Sequence, residues 1–180
     1  MWSRYRRGQP LQFSRIVVTT KMECLSSIVN EVGRRDGVDG LRLSPEGTAA
    51  MTFRSGKKIN FEYVAQSARL FVYTSLMPLG SDETRLFPLF ESMLRCNFLK
   101  LGTGKGELSI SLDTQQAIYQ IGLDIDGLDA DALDDAIDEV LKQHDECLCQ
   151  LRQGVPVAPG LPLPAAAAGA GHRIVRYSPN

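Results

Sequence analysis

Three clusters in this 180-residue sequence contain residue types that can do chemistry. Gly102-Thr103-Gly104-Lys105-Gly106 has the glycines and lysine of a phosphate loop. Such a loop works when it follows a strand and opens a helix, so that amides and helix dipole point at phosphate. Here a helical pattern precedes the glycines, a strand pattern follows them, and no Gly-Lys-Ser/Thr occurs. A connection between two elements accounts for the segment. Asp124-Ile125-Asp126-Gly127-Leu128-Asp129-Ala130-Asp131 has the carboxylates of a calcium loop. Counted from Asp124, Leu128 stands where an oxygen ligand is needed, Asp129 where glycine is needed, and Asp135 where glutamate is needed. The acids fit a strand end followed by a helix cap. His144, Cys147 and Cys149 are the remaining cluster; His144 and Cys147 share a helix face and Cys149 points away. Zinc takes four ligands, and Cys24 or Cys96 would have to complete the set. Of the two histidines, His172 lies in a Pro/Ala/Gly-rich end, and no serine or cysteine sits in a glycine-flanked elbow. The sequence therefore reads as a non-enzyme, with no catalytic, cofactor or metal residues assigned.

Charge narrows the partners. The formal net charge is -1, but Arg4, Arg6, Arg7, Arg15 and Lys21 lie in 1–21 with no acid, and Arg173 and Arg176 in 154–180 with none. The other 13 bases face all 21 acids within 22–153, a formal charge of -8. Such a body repels nucleic acid and anionic membrane. A polyanion-binding role would rest on the arginines beside Trp2 and Tyr5, and a short extension explains them as well. No apolar run approaches the roughly 20 residues that cross a membrane. Ile16-Val17-Val18 is too short for an export signal core. The four irregularly spaced cysteines read as reduced thiols in a bacterial cytoplasm.

The elements that position these residues follow from periodicity. Residues 1–21 read as a basic, weakly structured arm, 22–153 as the patterned domain, and 154–180 as a disordered tail. Met22, Leu25, Ile28, Val29 and Val32 make one helical stripe, ended by Gly33 and Gly37. The period then becomes two. Leu41 and Leu43, then Ala49, Met51 and Phe53, then Ile59, Phe61 and Tyr63, predict three strands, with turns at 44–47 and 54–57. Phe71-Val72-Tyr73 favours a buried strand that continues the third. Ser81–Thr84 offers cap oxygens for a helix whose apolar stripe is Leu86, Phe90, Met93, Leu94 and Phe98. Leu108, Ile110 and Leu112, then Tyr119, Ile121 and Leu123, predict two more strands. A last helix starts near Asp129, with Asp129 or Asp131 as its cap, and carries Leu133, Ile137, Val140, Leu141, His144, Leu148 and Leu151, with acids in its first turns. The fold class is α+β: helix, three strands, helix, two strands, helix, with the helices mainly on one face of an antiparallel sheet. Three helices cover such a sheet only in part, which points to a second copy or a partner.

The stretch Leu86-Phe-Pro-Leu-Phe-Glu-Ser-Met-Leu-Arg-Cys-Asn97, the glycine-rich loop and Glu107-Leu-Ser-Ile-Ser-Leu-Asp113 resemble the middle of the Tir chaperone family, the class I chaperones of type III secretion. Ile118-Tyr-Gln-Ile-Gly-Leu123 and Leu128-Asp129 extend the resemblance over about 22–152. The arm before Met22 and the Pro/Ala tail have no counterpart in it. The resemblance implies a homodimer that binds the N-terminal segment of a secreted effector in extended form, without ATP, and hands it to the secretion ATPase. It implies effector contacts from Leu25, Ile28, Val29, Val32, Leu41, Leu43, Met51 and Phe53, and a dimer interface with Leu89, Met93, Leu108 and Ile110. A dimeric regulatory or adaptor protein of the same fold, or a nucleic-acid-associated regulator using the basic arm, is the alternative.

Overall fold

The computed structural model describes residues 11–154 and 176–177. The chain runs α1 (Leu11–Arg35), β1 (Thr48–Thr52), β2 (Lys58–Val64), β3 (Arg69–Pro78), α2 (Glu83–Asn97), a 3-10 turn (Phe98–Lys100), β4 (Glu107–Ser111), β5 (Gln116–Asp124), α3 (Ala130–Gly154) and β6 (Arg176–Tyr177). The strands form one sheet in the order β4-β5-β3-β2-β1-β6. Every neighbouring pair is antiparallel.

Register places the period-two residues in continuous rows. Met51 opposes Ile59, Phe61 opposes Val72, and Val72 in turn opposes Ile121. These side chains form one core with Val29 and Val32 of α1, Leu89 and Met93 of α2, and Leu133, Ile137 and Val140 of α3. Full burial of each such side chain stabilises the fold by about 1.5–3 kcal/mol, before entropy is counted.

Two details differ from the sequence reading. Leu41 and Leu43 are not in a strand; they lie in irregular backbone between α1 and β1, yet both are buried. The close approach of α1 explains why. A Cβ on Gly33 would stand 2.8 Å from the Leu41 Cβ. Residues 69–78 form a separate strand, not an extension of β2, because Ala65–Ala68 turn the chain and Ala68 adopts a positive φ of 51°. The count of three strands before α2 holds, but with different members.

The helix termini are specified locally. Val38 N–H donates to the Gly33 carbonyl and Gly37 N–H to that of Arg34, with Gly37 at φ 78°, a Schellman end to α1. The Asp82 carboxylate accepts from Thr84 N–H to open α2, and Asp129 accepts from Ala132 N–H to open α3. At its other end α1 begins at Leu11, so the backbone of 11–21 is helical where a weakly structured arm was expected. Residues 1–10 and most of 155–180 lie outside the described residues.

Candidate functional site

The loop after α2 shows what its glycines do. The buried Tyr119 hydroxyl donates to the Thr103 carbonyl (2.8 Å) and accepts from Gly106 N–H (3.0 Å). Any Cβ on Gly106 would collide with the Tyr119 ring. Burial pushes the Tyr119 pKa up to about 12. Asn97 adds a two-way clamp on β4, donating to the Leu108 carbonyl (2.9 Å) and accepting from Leu108 N–H (2.8 Å). The glycine-rich segment is thus a structural seat that fixes β4 against α2. The His/Cys group disperses: His144 pairs with Asp145, the buried Cys147 thiol faces the Gly102 carbonyl, and Cys149 is exposed. Among the described residues no cluster of three or more His, Cys, Asp or Glu could hold a metal. No helix of the described residues is long and apolar enough to cross a membrane.

Two surfaces remain. The first is an open groove of about 950 Å³ between α1 and the 42–45 segment. Met22, Ser26 and Asn30 form one wall, and Arg42, Leu43 and Pro45 the other. Glu31 sits in this lining with its carboxyl held below the usual range by hydrogen bonds from Arg34 and Arg35. Of the residues expected to contact an effector, Leu25, Val29, Val32, Leu41, Leu43, Met51 and Phe53 are buried in the protomer, none more than 8 % exposed. Ile28 is half-buried. Of these side chains only Leu43 lines the groove; the others belong to the core or, in the case of Ile28, pack against it.

The second surface is apolar. Phe87, Leu94 and Phe98 are spaced by seven and four residues and are 64–74 % exposed. They line the side of α2 away from the core. Leu99 and Leu101 continue the ridge, with Leu99 and Lys100 both in the left-handed region. Leu112 projects from the β4–β5 turn. Six large apolar side chains this exposed mark a candidate interaction surface. Leu89, Met93 and Leu108, expected at a dimer interface, lie beneath this ridge and are buried in the protomer, while Ile110 is half-buried. The sequence reading missed Phe87, Leu99 and Leu101. The available signal was that α2 carries apolar residues around more of its circumference than one core contact uses.

The chain matches the model of the Tir chaperone protein (CesT) family over residues 27–147. It belongs to the Tir chaperone family. A search of curated proteins finds no significant match. Among solved structures, the chaperone resembles the ExsC–ExsE complex with a TM-score of 0.59 at 14 % identity, over 76 % of this chain and 98 % of that one. It also resembles the HopA1–SchA chaperone–effector complex (TM-score 0.52, 15 % identity, 76 % and 96 % covered). A third is the heterodimeric ExoU–SpcU complex of the Pseudomonas aeruginosa type III secretion system (TM-score 0.51, 15 % identity, 72 % and 98 % covered). At such identities these likenesses establish the fold. The matched interval includes the α2 ridge and most of the groove lining, with Met22, Glu23 and Ser26 just before its start.

Proposed function

We propose that this chaperone acts as a homodimer in the bacterial cytoplasm, where it holds the N-terminal segment of a cognate secreted effector in extended form. The observation that carries the reading is the family match, which includes the α2 ridge and most of the α1 groove. The ridge fits a second copy, because a surface rich in Phe and Leu gains most from permanent burial. Beneath it Leu89, Met93, Leu108 and Ile110 support the interface from behind. The groove, mixed in polarity and lined by Leu43, with the expected effector residues Leu25, Ile28, Val29, Val32, Leu41, Met51 and Phe53 in or against the core, fits a partner that must leave again. An extended segment contacts it through alternate side chains and backbone hydrogen bonds. Many modest contacts offset the cost of ordering the segment, so no ATP and no catalytic group are used; release belongs to the secretion ATPase. The 22–153 unit does this work, and 1–21 and 154–180 are appendages to it.

Co-expression with secreted proteins encoded beside the gene tests the reading. Size exclusion with light scattering is expected to give two copies of the chaperone per effector, with the effector's N-terminal segment protected from protease. A clean dimer that captures no neighbour would overturn the client role and leave a dimeric regulatory module.

A further inference from the structure

Apart from β6, the outer strands of the sheet are β4 and β1. The free side of β1 is partly occupied from within the chain. At its start, Ser44 N–H donates to the Thr48 carbonyl (2.7 Å), and the Ser44 and Thr48 hydroxyls lie 3.0 Å apart. At its end, β6 pairs antiparallel, with Tyr177 opposite Met51 and Arg176 opposite Thr52. We infer that this C-terminal segment is a built-in competitor for the strand-accepting edge of β1, seated where an extended client adds its own strand and displaced when the client arrives. The inference rests on the proposed client-holding function.

Location supports it. Ser44 and Pro45 line the α1 groove, and the chain passes from them through a four-residue turn directly into β1. A client lying in the groove therefore reaches the β1 edge without leaving the surface. Size supports it too. The tail pairs with two of the five residues of β1, so a client strand that pairs along more of the edge makes more backbone hydrogen bonds. Two residue pairs between separate molecules would hold poorly. Within one chain they act at an effective concentration in the millimolar range. The sequence suits a strand that is replaceable: Ile174, Val175 and Tyr177 favour extended backbone, and a Pro/Ala/Gly-rich stretch joins them to α3. Bare sheet edges invite pairing with unintended strands, and a weak internal occupant guards the edge without closing it.

The test uses the full chain with Arg176→Pro and Tyr177→Pro together, since proline lacks the ladder amide. Hydrogen exchange of β1 is expected to quicken several-fold in the double variant, while Tyr119 and Ile121 of the sheet interior exchange as before. Unchanged β1 exchange would overturn the inference. A synthetic peptide of residues 172–180, supplied at millimolar concentration to match the intramolecular value, is expected to restore protection in the variant and to bind the wild-type chain at least several-fold more weakly; equal binding to both would also overturn it. With an effector segment captured by co-expression, the variant is expected to bind about two- to tenfold more tightly, the range set by a competitor of comparable millimolar strength. Equal affinity would refute competition while leaving the client function intact. Capture of no client would refute the client function and the competition with it, and β1 exchange would still report whether the tail holds the edge.

Discussion

The inner and outer sides of α2 are both apolar, and they have opposite fates. On the inner side Leu89 and Met93 meet the core, and the clamps of Asn97 and Tyr119 follow immediately. On the outer side Phe87, Leu94 and Phe98 face outward in the protomer. The contrast separates two kinds of hydrophobic residue that composition treats alike. One kind makes the protomer fold, and the other becomes buried only when a second molecule arrives. Substitutions on the two sides should therefore fail in different assays.

The largest effect is expected inside. Met93→Asp places a carboxylate among apolar groups and should cost about 4 kcal/mol or more, lost as cooperative melting in circular dichroism. Outside, Leu94→Glu should leave the melting transition of the protomer within about 0.5 kcal/mol, as surface changes usually do. It should nonetheless weaken self-association by about a hundredfold or more in light scattering, since charged residues are excluded from interface cores. A Leu94→Glu variant that remained dimeric at micromolar concentration would break the contrast. A smaller inner effect is expected from Tyr119→Phe. It removes the hydroxyl's hydrogen bonds to the Thr103 carbonyl and the Gly106 amide, which still pair with each other (3.1 Å), and should lower stability by about 0.5–1.5 kcal/mol in urea titrations. Because burial raises the Tyr119 pKa to about 12, the folded state holds that proton more tightly than the unfolded chain does. Wild-type stability from this group is complete below about pH 10 and is lost as pH rises toward 12; the phenylalanine variant should lack that part of the decline. The smallest effect on the fold belongs to the groove. Ser26→Lys should keep both melting and dimer mass and reduce effector binding by about tenfold, read by titration calorimetry.

The sequence made the inner side legible because periodicity speaks directly about burial. The stripe through Leu133, Ile137 and Val140 and the alternation in Ile59, Phe61 and Tyr63 appear where their spacing places them, and of the cap oxygens the sequence offers, those of Asp82 and Asp129 are the ones used. Leu41 and Leu43 show the limit of that signal. Their alternation described burial correctly and strand pairing wrongly, because a two-residue period is equally met by an irregular segment wedged under α1. The outer ridge was only half legible: Leu94 and Phe98 were assigned to one stripe with Met93, since spacing on a helix apolar on two sides does not say which side faces in. The pairing of β6 with β1 was not legible at all, being two residues after a long Pro/Ala/Gly-rich stretch. The partly covered sheet already pointed to a second copy or a partner, and the resemblance to the Tir chaperone family supplied the kind of partner to expect.

The strand order has a consequence for the nascent chain. β3 is the central strand, and its two neighbours become available at very different times. β2 precedes it by a short turn, whereas its partners on β5 run from Arg69 with Asp124 to Pro78 with Gln116. The sheet therefore cannot close at its middle until α2 and β4 have been synthesised. Until then the β1–β3 meander presents the whole length of β3 as an open ladder, and the loop to be closed is the longest the sheet contains before α3. A ribosome-bound chain that ends between Pro78 and Gln116 has the first half of the sheet and an uncovered edge through its centre, the condition in which strands pair with the wrong neighbour. A protein that guards other unfolded chains thus passes through its own synthesis with the same exposure.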